Sequence, residues 1–540
     1  MRTTALLYAR TLRHLRPWQV AGRLVAAAKR KVGSSRIPAP PAPLVPRLSP
    51  RVPFPAHEPW NTREAMRGGR FRFLNEAAEL GFPPDWVVAD RPLLWRFNLH
   101  YFHYLHLLSP DEQAALCRSW VAANPPGKGV GWHPYPTALR IVNWSRAGVS
   151  EPDLLASLYR QAAFLFRNLE THIGGNHLLE NARALVVAGL FFEGQGEAPR
   201  WLAKGLDLYR RETREQILPD GGHYERSPMY HALMLEGYLD VLNVLPHGHP
   251  DRVWLLETAK RMGDALATMT HPDGRLALFN DATHEIALSP EALTGYLHAL
   301  TGHTPRARVS LPDTGYFTHR DEAVSLIIDG GPVGPDHLLA HAHADIFSYE
   351  LAVHGETFVV DSGVFEYPAG PMRAYVRSTE AHNTVCIDGV DQVECWGSFR
   401  VARRFAPEAV VFERSDETTL FEGTFGGYAR LIGDGLRHHR QVRVEPGRRR
   451  ITVRDRVEGR GRHRVESRIH LHPSVTVTPE DDGFTLRRGE TTCRVVAEAG
   501  TVRVTDGWYC PRFGVREKNP VLVLGGALAL PVTLACRFEY

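Results

Sequence analysis

The chain has 540 residues, too many for one hydrophobic core, so two or three domains are expected. A composition of 43% hydrophobic and 23% charged residues excludes a chain disordered along its length. The net charge of +4, with histidine neutral, suits a solvated surface as well as an anionic ligand and gives no sign of nucleic-acid binding.

The first segment, MRTTALLYARTLRHLRPWQVAGRL, is a poor export signal. Its apolar run is only Ala5–Ala9, and Arg10, Arg13 and Arg16 break up the residues beyond it. No stretch of 18 apolar residues occurs later, so no transmembrane span is expected. Localisation is then cytoplasmic by default, with the periplasm or envelope left open. The segment reads as a basic amphipathic helix, either resting on a membrane surface or, the favoured reading, docked on its own protein. Eight prolines between Pro38 and Pro55 rule out a helix there and point to an extended arm.

From about 90 to 305 the apolar residues recur at helical spacing. LLASLYRQAAFLFRNLETHI, NHLLENARALVVAGLFF, YHALMLEGYLDVLNVL and RVWLLETAKRMGDALATM are the clearest cases. Short breaks such as LPDGG separate them, so successive helices should pair antiparallel, as a bundle or a closed ring of hairpins. From about 310 the period changes to two, in AVSLIIDG, ETFVVDSG, RRITVRDRVEG, RVESRIHLHP and others. More than 200 residues of this kind predict an antiparallel double-sheet sandwich. The expected domains are 1–60 (helix and Pro-rich arm), 61–308 (helical) and 309–540 (sheets). Six scattered cysteines without a CxxC read as isolated buried thiols.

The 27 histidines are unusually many, and they concentrate near the segments that carry other reactive side chains. In GGNHLLENA, Asn176 starts a helix, and His177 and Glu180 fall within its first turn. The bland reading is a capping Asn with a core His; the functional one is a pocket for a carboxylate at a helix N-terminus. In DGGHYERSPMYHAL, Ser227-Pro228 starts another helix. That leaves Tyr230 near its beginning, with Tyr224, Arg226 and His231 close in sequence. Neighbouring positive charge would lower the Tyr230 pKa; the bland reading is core packing. HAHADIFSYELAVHGETFVVDSG reads as two strands, with His341 and His343 pointing the same way and Asp361 ending the second. His343, Asp361 and His382 make a zinc-capable set, with a fourth position for water. The alternative is buried histidines bonded to carbonyls.

GGNHLLENA, DGGHYERSPMYHAL, HAHADIFSYEL…VVDSG and HNTVCIDG, in that order, resemble the heparinase II/III family of polysaccharide lyases. The resemblance implies a multidomain α+β chain: an N-terminal incomplete (α/α) toroid, then a C-terminal antiparallel β-sandwich, with the active site between them. It implies β-elimination on a uronic-acid-containing acidic glycan. Asn176 would neutralise the uronate carboxylate, His177 and Glu180 would line its pocket, Tyr230 would move protons, and His341 would sit by the carboxylate. It also implies a structural zinc ion on His343, Asp361 and His382. Arg140 and Trp132 in WHPYPTALRIVNW, with Tyr224, Arg226 and Arg377, are further expected substrate contacts; helix packing and loop bracing are the competing readings. Arg373 could bind an anion or hold a loop. The arginines from Arg437 to Arg468 read as a solvated sheet face. The partner expected is an acidic polysaccharide or oligosaccharide, and a homodimer is left open. The competing functions are a glycoside hydrolase, for which no paired-carboxylate motif stands out, and a non-catalytic glycan-binding protein in exopolysaccharide or capsule production.

Overall fold

The computed structural model describes residues 2–32, 37–57 and 60–540, with side chains in the first segment described for residues 4–28. The protein is a multidomain α+β chain whose long helices end at Thr301 and whose main sheets begin at Ser310. The amino-terminal segment forms two helices, α1 (Arg2–Leu12) and α2 (Pro17–Val32). Pro17 suits the first position of a helix, because its missing N–H has no intrahelical partner to lose. The proline-rich arm lies extended on the helical body. The Arg47 amide donates to the Phe191 carbonyl at 2.8 Å, and the Asn243 side chain accepts from the Arg51 and Val52 amides at 2.8 and 3.0 Å. A short helix α3 (Arg63–Arg67) and a hairpin of Arg70–Phe73 with Glu76–Glu79 follow.

The helical body comprises α4 (Leu93–Tyr101), α5 (Pro110–Ala123), α6 (Pro134–Arg146), α7 (Pro152–Arg167), α8 (Gly175–Phe191), α9 (Ala198–Gln216), α10 (Pro228–Val244), α11 (Arg252–Thr268) and α12 (Pro290–Thr301). Helices α4, α6, α8, α10 and α12 touch in series, and α7, α9 and α11 pack against them. Composition explains the division. Helices α8 and α10 are buried almost all round, whereas α9, APRWLAKGLDLYRRETREQ, keeps a charged side for water. Where α6, α8 and α10 meet, the charges are paired: Arg183 bonds Glu180 at 3.2 Å and Glu236 at 3.1 Å, Arg146 bonds Glu236 at 2.9 Å, and both arginines hold Asp240. In so apolar a setting these charges would not stay ionised unless each met a partner.

Three larger antiparallel sheets, with a two-stranded ribbon of Cys395–Trp396 and Arg400–Val401, make up most of the rest. Five strands between Ser310 and Val359 follow one another in chain order, and a bridge from Val359 to Leu471 joins them to a four-stranded sheet. That second sheet holds Val385–Ile387, Arg462–His470, Val502–Arg512 and Val515–Ala529. The third has eight strands. One buried apolar cluster takes Leu326, Ile469 and Val453 from the three sheets. The arginine-rich strand Arg437–Glu445 alternates between faces, as a half-buried strand must. Arg437 and Arg443 face outward, while Arg440 turns inward and meets Asp455 with two bonds of 2.8 Å.

Candidate active site

A cavity of about 880 Å³ lies where helical and sheet residues meet, lined by Asn176, His177, Tyr230, His341 and Tyr367 among others. Two helix starts bring the first three there. Gly174 and Gly175 have φ of 75° and 56°, which lets the chain turn sharply into α8 with Asn176 in its first turn. The Asn176 amide and side-chain nitrogen both donate to Glu225, at 3.1 and 3.2 Å. At α10, the Ser227 hydroxyl accepts from the Tyr230 amide at 3.3 Å and donates to the Asp281 carbonyl at 2.6 Å. This N-cap therefore ties Tyr230 to the turn that carries Asp281.

His341 and His343 do not stand on a strand. The strand begins only at Tyr349, and the histidines occupy an irregular segment before it. Local alternation is replaced by tertiary pinning. The Asp281 carboxylate meets His341 Nδ1 at 2.8 Å and His343 Nε2 at 2.9 Å, and takes Arg373 through both guanidinium nitrogens at 2.5 and 2.9 Å. Asn280, at φ 56°, accepts from the His343 amide at 3.0 Å. Arg373 thus holds the site from behind rather than reaching an anion, with its guanidinium 5.0 Å from the Tyr367 ring centre.

The rings of Tyr230 and His341 stack with centroids 3.8 Å apart, and the Tyr230 hydroxyl meets the Tyr367 hydroxyl at 3.0 Å. Tyr230 is 9% exposed and His341 8%. Burial, with Tyr367 and Asp281 adding to it, pushes the Tyr230 hydroxyl well above the ordinary tyrosine range. This reverses the sequence-based expectation of a lowered value: the arginines nearby are spent on carboxylates and carbonyls, so desolvation prevails. His177 lies over Tyr135 at 4.4 Å and meets Glu170 at 3.2 Å. Burial pulls its pKa down, but the Glu170 carboxylate outweighs that and holds it above the usual value.

Behind the cleft, His343, Asp361 and His382 are fully buried, each offering a ligand atom within 4.8 Å of the others. His343 Nδ1 and His382 Nε2 are buried without a hydrogen-bond partner, while their other nitrogens are held by Asp281 and Asp361. A carboxylate on one ring nitrogen leaves the other as a metal-facing lone pair. Burial brings His343 down to about 4, against the pull of Asp281, so it is neutral at physiological pH as a ligand must be. Burial, with Asp361 beside it and His382 opposing, raises the Asp345 carboxyl to about 6. Against the pull of burial, Asp361 holds the His382 pKa above its usual value, so a cation bound there would displace that proton; the two unpartnered imidazole nitrogens and the Asp361 carboxylate fit a cation such as zinc.

Six expected substrate contacts lie elsewhere. Glu180 belongs to the buried network with Arg183. Arg140 is fully buried, 3.8 Å over the Trp120 ring, and donates to Gln161 and the Gly131 carbonyl, both at 2.8 Å. Trp132 is buried against Trp120 and Phe164, its indole N–H on the Asn124 carbonyl at 3.1 Å. Tyr224 is buried beside His223. Arg226 spends its guanidinium on the carbonyls of Thr314, Asp313 and Tyr224, fastening α10 to the first sheet. Arg377 donates to the carbonyls of Ala342, Ser398 and Arg400 and braces the loops around His341. Apart from Tyr224, whose ring is packed away, these side chains have their polar atoms consumed inside the fold, where leaving them unpaired would be costly. Sequence reasoning missed Asp281 and Tyr367. Tyr367 stands four residues beyond the histidine-rich stretch, in VFEY, whereas Asp281, in the short turn FNDATH, gave no periodic or motif signal.

Comparison with known proteins places these residues in context. The sequence model described as "Heparinase II/III N-terminus" matches residues 150–301, and "Heparinase II/III-like, C-terminal" matches 303–529. The chain is 26% identical over 367 residues to a heparin-sulfate lyase of Pedobacter heparinus, covering 57% of this chain and 54% of that protein. It is 28% identical over 380 residues to a heparin-sulfate lyase of Bacteroides stercoris, covering 57% and 56%. The chain therefore spans about half the length of the curated relatives it matches. In three dimensions it is similar to crystalline heparinase III, with a TM-score of 0.67 at 18% identity over 84% of this chain and 78% of the other. A heparan sulfate lyase mutant from Pedobacter heparinus gives 0.63 at 18% identity, over 88% and 82%.

Proposed function

The chain belongs to the heparinase II/III-like family, and from that premise we propose that it is a polysaccharide lyase cleaving a uronic-acid-containing glycan by β-elimination. The observation that carries this reading is the 3.8 Å stacking of Tyr230, from the start of α10, on His341, from the segment leading into the sheets. A phenol and an imidazole from two parts of the fold meet at one cavity, beside the Asn176 amide. In this reading residues 61–308 form the catalytic unit, an incomplete (α/α) toroid; the serial contacts of α4, α6, α8, α10 and α12 support that. Residues 309–540 supply His341, Tyr367 and Arg373, and the helical unit supplies Asp281, which holds His341 and Arg373.

The chemistry derives from the residue types. The hydrogen on C5 of a uronate is α to a carboxylate, and its removal creates a dianionic, enolate-like species. Asn176 Nδ2 and a His341 N–H donate to that carboxylate as its charge grows; a donor of this kind is worth roughly a hundred- to a thousandfold in rate. Tyr230 is the proton carrier. As phenolate it takes the C5 proton, the C5–H electrons become the C4–C5 double bond, and the C4–O4 bond breaks. The same oxygen, now a phenol, returns its proton to O4. Burial makes the phenol the resting form, so the reactive fraction grows as pH rises. His177 lines the same pocket. Zinc on His343, Asp361 and His382 would act structurally, fixing the segment that presents His341. Those residues bind and orient, and no proton passes through them.

The test is a panel of uronate polymers, sulfated and unsulfated, analysed for the ultraviolet absorbance of an unsaturated uronate and for product mass. Wild type should give products at the elimination mass, and Tyr230→Phe and Asn176→Ala should give far less. Products carrying the mass of added water would move the assignment to a hydrolase. A silent panel, with wild type and Tyr230→Phe alike, would count against catalysis.

A further inference from the structure

The first two helices carry features that the cleft does not account for. No Asp or Glu occurs before residue 58, whereas eight Lys or Arg fall between Arg2 and Lys31. Eleven of the 64 Lys and Arg lie in those first 57 residues, so the rest of the chain sets 53 against all 60 acidic residues. The basic excess of the protein is therefore local to its amino-terminal segment.

One side of the α1–α2 segment is docked on the body. Arg10 meets Glu394 through two contacts of 3.1 Å, the Trp396 indole donates to the Thr11 hydroxyl at 3.1 Å, and Gln19, fully buried, donates to the His337 carbonyl at 3.3 Å. Gly22 lies so close to His172 that a Cβ there would come within 2.6 Å of it. The same helices also leave many apolar side chains in solvent. Of the sixteen exposed large apolar side chains among the described residues, seven fall between Leu6 and Val25. Leu24 and Val25 are 69% and 54% exposed, Leu6 54%, and Trp18 44%. A folded chain does not ordinarily concentrate its exposed apolar side chains in so short a segment.

We propose that the α1–α2 segment is an in-plane docking surface for an anionic lipid bilayer. Aliphatic side chains and a tryptophan, on a segment whose sequence carries eight Lys or Arg and no acidic residue, match the acyl boundary and the negative headgroups of such a surface. No helix among the described residues is long and apolar enough to cross a membrane, so the contact is interfacial. Tyr8, Thr11, Leu12, Leu15 and Arg23 also line the cleft, so docking sets its mouth against the lipid. In the proposed lyase reading, the glycan is then presented from the membrane surface; the docking itself does not depend on that reading.

The experiment is flotation of the full chain with vesicles of phosphatidylcholine alone and of phosphatidylcholine with phosphatidylglycerol. Wild type should float with the anionic vesicles only, and less as salt is raised. The double variant Leu24→Ser/Val25→Ser should bind about tenfold or more weakly, and the single variant Arg13→Gln about fivefold more weakly. Both should keep the wild-type circular dichroism spectrum and melting temperature. Absence of binding to anionic vesicles overturns the proposal, as does equal binding by the wild type and both variants. Binding to soluble heparin, or self-association in mass photometry, with no vesicle binding also overturns it and gives the face to a polyanion or to a second copy.

Discussion

Replacing Asp281 by Asn keeps the shape of the side chain and removes what its two oxygens do. Oδ1 accepts from His343 and Arg373, and Oδ2 from His341 and Arg373, so four donors converge on one fully buried carboxylate. An amide has one acceptor oxygen, so its NH2 must face two of these donors. Two charge-assisted bonds are lost, at roughly 1.5–3 kcal/mol each, and Arg373 is left buried without its counter-charge. The expected loss of stability is about 3–5 kcal/mol, a fall of roughly 10 °C in the midpoint of calorimetric unfolding. The pH dependence has a definite sign. Burial alone would raise the Asp281 pKa, but Arg373 and the two histidines outweigh it and hold the carboxyl well below its usual range. A depressed carboxyl stabilises the fold above its unfolded value, near pH 4, and that stability is lost as pH falls through the folded value. The gap between wild type and Asp281→Asn should therefore be full at neutral pH and close in acid. His341 also loses its orienting partner, so turnover should fall by a hundredfold or more, on the order expected for a misplaced reacting group. A variant that melts within about 1 kcal/mol of wild type and turns over normally would refute the view that this carboxylate organises the site.

Tyr230→Phe should lower turnover by roughly a hundred- to ten-thousandfold while changing stability by only about 1 kcal/mol, read by product formation and thermal melting. In wild type, turnover should climb from neutral into alkaline pH, because the raised Tyr230 pKa leaves less phenolate as pH falls; a maximum below neutral pH would contradict this. Arg140→Ala should destabilise by about 3 kcal/mol, through the lost stack on Trp120 and the unpaired Gly131 carbonyl, and leave KM unchanged. Purified wild type should contain about one zinc per chain, and His343→Ala should lose the metal and melt lower. Metal-free wild type, indifferent to a chelator, would remove zinc from the account.

The helical and sheet regions were legible because periods of 3.6 and 2 persist over long runs, and α9 or Arg437–Glu445 show each pattern without ambiguity. Asn176 and Tyr230 were legible for a local reason: Gly174-Gly175 and Ser227-Pro228 are helix-start signals, and the next residues along the chain sit in a first helical turn. Arg140 was misread because a cation among aromatic residues looks the same in sequence whether it faces a ligand or stacks inside the fold. Only tertiary structure shows that Gln161 and the Gly131 carbonyl consume its donors. Asp281 was invisible for the opposite reason. Its side-chain partners stand 60 to 92 residues away, and a short turn carries no periodicity to mark it.

The central claim is that the cleft breaks a glycosidic bond by removing a proton, so the most direct measurement is digestion of a cleaved uronate polymer in water enriched in heavy oxygen. Elimination predicts products that lack the label and weigh one water less than hydrolytic fragments, formed by wild type and nearly absent with Tyr230→Phe. Heavy oxygen at the new reducing ends would show that water attacks the bond, and would contradict the account.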